Sequence, residues 1–184
     1  MTTLYEGAFA KVNLTLDVLG KRSDGYHEVR MVMQSVGLSD AVEIEEGEGL
    51  VVETDHSGLA GGPDNLAWKA AELLARCCGK IPNVHIRLNK KIFLAAGLAG
   101  GSSDAAAVMR GLSRLWQLDL TAPELEKLAA ELGSDIPFCI TGGTALAEGR
   151  GEILTELPEA PELLLVLAKP KLEVATGWVY GNFR

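Results

Sequence analysis

Apolar and polar residues alternate from Lys11 to Leu19. Val12, Leu14, Leu16 and Val18 fall on one side, and Lys11, Asn13, Thr15 and Asp17 on the other. A period of two predicts a half-buried strand, here with functional side chains along its polar face. A polar loop, GKRSDGYHE at 20–28, comes next, followed by strand-like segments at 29–36, 41–46 and 50–54. The period then changes. Asp64 can cap a helix whose apolar positions Leu66, Ala70, Leu73, Leu74 and Cys77 recur at helical spacing, with Gly79 as its stop. NVHIRLNK at 83–90 alternates as a strand again. Beyond a glycine-rich stretch, Val108, Leu112, Leu115 and Trp116 mark the buried stripe of a second helix over 102–116. TAPE, starting at Thr121, reads as a capping box with proline in the first turn. The third helix it opens has the stripe Leu125, Leu128, Ala129 and Leu132, and Gly133 ends it. Segments 143–148 and 163–168 read as strands. Runs of strands with grouped helices predict an α+β fold rather than a doubly wound sheet.

Composition narrows the function classes. The 184 residues are 47% hydrophobic and 23% charged, enough for one domain or two small ones with a sizeable core. ELPEAPE at 156–162 is a candidate boundary, giving one unit over 1–155 and a second segment over 156–184. The net charge of −8 argues against a broad basic surface for nucleic acid. It also means that a phosphate-bearing ligand must be held by local groups, because the global field repels it. LLLVLA at 163–168 is far too short to cross a bilayer, and MTTLYEGAFAKVNL has no basic stretch leading into an apolar one. The expectation is a cytoplasmic protein that does not engage a membrane. Its three cysteines, Cys77, Cys78 and Cys139, read as reduced packing residues, since none stands at zinc spacing.

The glycine-rich stretch AAGLAGGSSDAA, 95–106, carries the chemistry. Gly97, Gly100 and Gly101 remove side chains where backbone must approach a ligand. Ser102 and Ser103 add hydroxyls, and the helix that follows offers free amides and the positive end of its dipole. Such local donors are what an acidic protein needs to hold a polyphosphate. Asp104, read as a first-turn residue, favours the same dipole. No lysine follows the glycines, so this is not a Walker loop, and no G-x-G-x-x-G follows an opening strand.

Three stretches taken together resemble a known family. GLAGGSSDAA is similar to the second motif of the GHMP kinases, the superfamily of galactokinase, homoserine kinase and mevalonate kinase. AFAKVNLTLDVLGKRSDGYHEV and LGSDIPFCITGGTALAEGRGE (132–152) resemble one branch of it, the 4-diphosphocytidyl-2-C-methyl-D-erythritol kinases. The resemblance covers essentially the whole chain, as an N-terminal portion of the family's length. It implies a GHMP kinase fold, with an N-terminal ribosomal-S5-like α/β sandwich over 1–155. Residues 156–184 would then form a linker and the start of a second α+β domain. It further implies transfer of the γ-phosphoryl of ATP to the 2-hydroxyl of the cytidine diphosphate-linked methylerythritol, with Mg²⁺ accompanying ATP. Two positions depart from the pattern: Phe93 stands where the family has proline, and Ala99 where it has glycine. An alanine at 99 is expected to keep negative φ.

The resemblance assigns roles. Asp135 becomes the candidate base, where position alone reads as a loop aspartate after a helix. Lys11 would pair with it and polarise the acceptor hydroxyl. Ala96, Gly97, Leu98, Ala99, Gly100, Gly101, Ser102 and Ser103 would cradle the ATP phosphates, with Asn65 near adenine and Ser103 the candidate contact to Mg²⁺. Tyr26 would stack on cytosine and His27 would bond its edge. Tyr180 is the candidate second aromatic, with Thr176 nearby and Asn13 touching substrate; packing of Tyr180 in a core is the other reading. The expected partner is a small molecule, with the protein a monomer or homodimer. Two alternatives stand beside this: a homoserine or mevalonate type of kinase, and an inactive nucleotide-binding fragment.

Overall fold

A computed structural model describes residues 2–170 and 176–182. Two long strands, β1 (Thr3–Lys21) and β2 (His27–Glu46), form an antiparallel hairpin that runs the length of the molecule. The segments read as separate at 29–36 and 41–46 are thus one strand. The other edge of β2 is shared. Its second half pairs antiparallel with β4 (Val84–Asn89), and its first half with β5 (Thr144–Glu148). The short β3 (Leu50–Thr54) lies parallel to β4, and β6 (Ile153–Glu156) antiparallel to β5. The result is a six-stranded mixed sheet.

Four helices cover one face of it. They are α1 (Leu66–Cys77), α2 (Gly100–Leu115), α3 (Ala122–Ala129) and α4 (Ile136–Thr141). Val42, Ile44, Val84, Ile86 and Leu88 of the sheet pack against the alanine-rich faces of α1 and α2. Small residues permit a close approach. A Cβ at Gly111 would come within 2.4 Å of the Ile44 side chain. The opposite face is polar: Arg87 on β4 reaches Glu43 and Glu45 of β2 and Glu53 of β3 at 3.0–3.4 Å. This one-sided layering is the α+β arrangement the sequence predicts.

Local chemistry explains the helix ends. Asn65, not Asp64, caps α1, its Oδ1 accepting from the Ala67 amide at 2.9 Å. Thr121 and Glu124 form the expected capping contacts at α3, where Glu124 Oε2 accepts from the Thr121 amide at 2.8 Å. Cys77 is exposed rather than part of the α1 stripe. α4 follows directly on Asp135 and was not apparent from periodicity.

Three expectations change. Leu14 and Leu16 are exposed, not core, because β1 shifts register between Phe9 and Lys11, between Asn13 and Thr15, and between Val18 and Gly20. Each bulge resets the inward phase, and the first turns Lys11 inward directly beside buried Ala10. Residues 163–168 form no strand and pair with none among the described residues. Leu164 and Val166 are almost fully exposed. Third, Ala99 has φ +58°, not the negative value expected. Left-handed backbone costs an L-residue about 1–2 kcal/mol, part of which glycine would recover against its looser unfolded chain. Ala99→Gly is therefore expected to raise unfolding stability by about 1 kcal/mol in urea titration; a loss of stability would mean that the methyl packs favourably.

Candidate active site

One cleft of about 630 Å³ gathers residues from every motif in the sequence. Lys11 and Asn13 come from β1, Tyr26 and His27 from the hairpin loop, Gly97 and Ser102 from the glycine stretch, and Asp135 from the turn before α4. The first register shift of β1 aims Lys11 here. Its Nζ lies 3.6 Å from Asp135 Oδ2 and donates to Asn13 Oδ1 at 3.1 Å. The Lys11 side chain is only 6% exposed, whereas that of Asp135 is 34% exposed. A buried cation therefore backs a carboxylate that still faces the cleft.

The glycine stretch is fastened to the same strand. The Lys11 amide donates to the Leu98 carbonyl at 3.1 Å, while the Leu98 side chain packs on Ala10 and Ile92. Positive φ at Ala95, Gly97 and Ala99 curls the chain so that α2 starts at Gly100, two residues earlier than expected. The first helical bond runs from the Ser103 amide to the Ala99 carbonyl at 2.8 Å. The amides of Gly100, Gly101 and Ser102 precede it and have no partner within the helix. The Ser103 hydroxyl is turned away, bonding the Ala99 and Gly100 carbonyls at 3.1 and 3.0 Å. As arranged it does not fit the role of metal ligand, and among the described residues no group of three or more His, Cys, Asp or Glu could hold an ion.

The hairpin loop is built to present Tyr26. Arg22 pairs with Asp24 at 3.1 Å, Asp24 Oδ1 accepts from the Tyr26 amide at 3.1 Å, and Gly25 takes φ +88° to close the turn. The ring stays half exposed, with the Arg150 guanidinium 4.9 Å from its centroid. Arg150 had no role in the sequence reading. It sits between Gly149 and Gly151, both at positive φ, in a tight turn joining β5 to β6; the EGRGE run was its available signal. Lys21 and Ser134 also line the cleft. Lys11, Lys21 and Arg150 make the cleft locally cationic in a protein of net charge −8.

Other expected residues lie elsewhere. Ala96, Ala99, Gly100 and Gly101 do not line the cleft, and Leu98 is core. Asn65 is buried with both polar ends occupied, its Nδ2 donating to the Ala60 carbonyl at 2.8 Å. Thr176 and Tyr180 belong to α5 (Thr176–Gly181), and their side chains lie outside the described residues. Burial pushes the Cys139 thiol up to about 12, which keeps it protonated and inert.

Asp104 does not serve the helix dipole. It lies on the fifth residue of α2, fully buried, and contacts Lys90 rather than the helix dipole. Lys90 Nζ bridges Asp104 and Asp40, and all three side chains are essentially inaccessible. Asp40 Oδ1 also accepts from the amides of Lys91 and Ile92, the latter at 2.8 Å. The cluster thus ties β2, the segment leading from β4 into the glycine stretch, and α2 together. Burial raises the Asp104 carboxyl to about 7 despite Lys90, and its Oδ1 has no hydrogen-bond partner.

The chain is similar in sequence and fold to known proteins. Residues 65–143 match the family model for the GHMP kinases N terminal domain. The chain is 52% identical over 179 residues to a 4-diphosphocytidyl-2-C-methyl-D-erythritol kinase of Synechococcus sp. (strain JA-3-3Ab), covering 96% of this chain and 58% of the relative. It is 49% identical over 185 residues to the protein of that name from Acetivibrio thermocellus, covering 100% of this chain and 65% of the relative. A crystal structure of 4-(cytidine 5'-diphospho)-2C-methyl-D-erythritol kinase superposes with a TM-score of 0.80 at 36% identity, over 98% of this chain and 65% of that one. The chain thus spans about three fifths of the length of the curated relatives it matches. Its fold is that of the GHMP kinase N-terminal domain, and in sequence it is similar to an N-terminal portion of the 4-diphosphocytidyl-2-C-methyl-D-erythritol kinases.

Proposed function

We propose that the full-length protein transfers the γ-phosphoryl of ATP to the 2-hydroxyl of 4-diphosphocytidyl-2-C-methyl-D-erythritol, in the non-mevalonate route to isoprenoid precursors. The observation that carries this is the Lys11–Asp135 pair, 3.6 Å apart and in one cleft with Tyr26, His27, Gly97 and Ser102. Phosphoryl transfer needs phosphates held in line, an oriented acceptor and a proton acceptor. Asp135 takes the proton as the substrate oxygen bonds the γ-phosphorus and the bond to the ADP oxygen breaks. Lys11 pairs with that carboxylate and draws charge from the attacking oxygen. The amide of Ser102, which lines the cleft, receives the phosphates, with those of Gly100 and Gly101 next to it in the same helix turn, while Lys21 and Arg150 offset the charge of the substrate diphosphate. Mg²⁺ would enter on ATP, since Ser103 is committed to its own helix. Tyr26 and His27 grip the cytosine. In the same reading Thr176 and Tyr180 close over the substrate, residues 1–155 form the ATP-binding and catalytic domain and 156–184 lead into a second one. The protein would work in the cytoplasm as a monomer or homodimer. No described helix is long and apolar enough to cross a membrane.

Steady-state kinetics of Tyr26→Ala test the cytidine grip. A stacked base is worth about 1–3 kcal/mol, so the KM for the cytidine substrate should rise about 10- to 100-fold with that for ATP within about twofold. Equal effects on both substrates would remove the clamp.

A further inference from the structure

We propose that Arg110 is a positioning residue for the Lys11–Asp135 pair, holding the two elements that carry it at a fixed separation without touching substrate. This inference rests on the catalytic reading above and names a residue outside the cleft. Arg110 projects from α2 into the junction of β1 and α4. Its Nη1 donates to the Cys139 and Ile140 carbonyls at 2.6 and 3.3 Å, and its Nη2 to the Gly7 carbonyl at 2.9 Å. Its Nε reaches Glu6 at 3.4 Å. One planar fork therefore grips both elements at once, a geometry that lysine cannot reproduce.

Both grips fall on backbone carbonyls, beside the side-chain contacts that Arg114 makes with Glu6 and Thr141 with Glu126. α4 has six residues, and its last carbonyls have no amide ahead of them in the helix. Arg110 satisfies two of them. β1 pairs with β2 on one edge only. On its free edge the Gly7 carbonyl meets Arg110, and four residues on the Lys11 amide meets Leu98. Both fasteners come from the unit formed by the glycine stretch and α2. Asp135 precedes α4 by one residue, and Lys11 follows Gly7 along β1. If the fork is lost, α4 and β1 are free to shift against each other, and the Lys11–Asp135 distance with them.

The test uses Arg110→Lys, which keeps a cation beside Glu6, and Arg110→Met, in a chain carried to the full length of its relatives. A displacement near 1 Å at reacting groups can cost on the order of 100-fold. The expected result for Arg110→Lys is a kcat lower by about tenfold or more, with both KM values within about twofold. In an Asp135→Asn background the same change should cost less than about twofold, since the group it positions is already gone. An unchanged kcat, or losses that multiply in the double variant, would overturn the proposal. The crystal structures of both variants give a readout free of activity. A Lys11 Nζ–Asp135 separation opened beyond ~4 Å supports the role, and one still at 3.6 Å overturns it. A wild-type chain that is well folded yet phosphorylates nothing would sink the reaction reading instead, and the structural readout would still decide the role of Arg110.

Discussion

Asp135→Asn is expected to lower kcat by about 10³-fold while the KM for ATP moves by less than about twofold; a positioned general base contributes roughly 10²–10⁴. Asparagine keeps the size and hydrogen-bonding reach of the side chain but takes up no proton from the acceptor hydroxyl. It also leaves Lys11 buried without its ion-pair partner, although Asn13 Oδ1 still accepts from Nζ at 3.1 Å. In the proposed reading ATP is held by other groups, the amides at the start of α2, so ATP binding should persist. Rapid-quench and steady-state assays separate the two. A near-normal kcat would remove Asp135 as the base, and a matching rise in the ATP KM would recast it as a binding residue.

Lys90→Met should cost about 3–5 kcal/mol of stability, because it leaves Asp40 and Asp104 buried without their shared cation. The loss should depend on pH in a definite direction. In the folded state the Asp104 carboxyl holds its proton up to about 7, against a usual value of 3.8. Between roughly pH 4 and 7 the folded state therefore binds more protons than the unfolded one, and stability falls as pH rises. Removing the only cation of the cluster strengthens that trend. Urea unfolding of the variant should show the smaller deficit near pH 5 and the larger near pH 8. A deficit that is constant across that range would mean a packing defect rather than uncompensated charge.

How legible these features were in the sequence depended on how local they are. The glycine stretch with its helix, the capping contacts at Thr121 and the Tyr26–His27 loop all lie within a dozen residues of chain, and each was readable. Lys11 was readable for its residue type and its motif. Its burial was not, because period-two counting carries Leu14 and Leu16 inward and knows nothing of three bulges set by the partner strand. α4 was missed because six residues hold too little periodicity to register. The Lys90 cluster joins residues 50 and 14 positions apart, and charged residues read singly look like surface. Ala99 shows the limit of propensity. The fold holds it at φ +58° although its side chain argues against that. Arg110 was invisible for the same reason as Lys90, since its partners, Gly7 and Cys139, lie 103 and 29 residues away.

The most direct measurement is ADP release by a chain of the relatives' full length, given ATP with 4-diphosphocytidyl-2-C-methyl-D-erythritol, homoserine or mevalonate in turn. The lysine–carboxylate couple beside the proposed cytosine grip leads us to expect turnover with the cytidine-bearing alcohol alone, inhibited by CMP. Release of ADP with homoserine or mevalonate but not with the cytidine compound would contradict it.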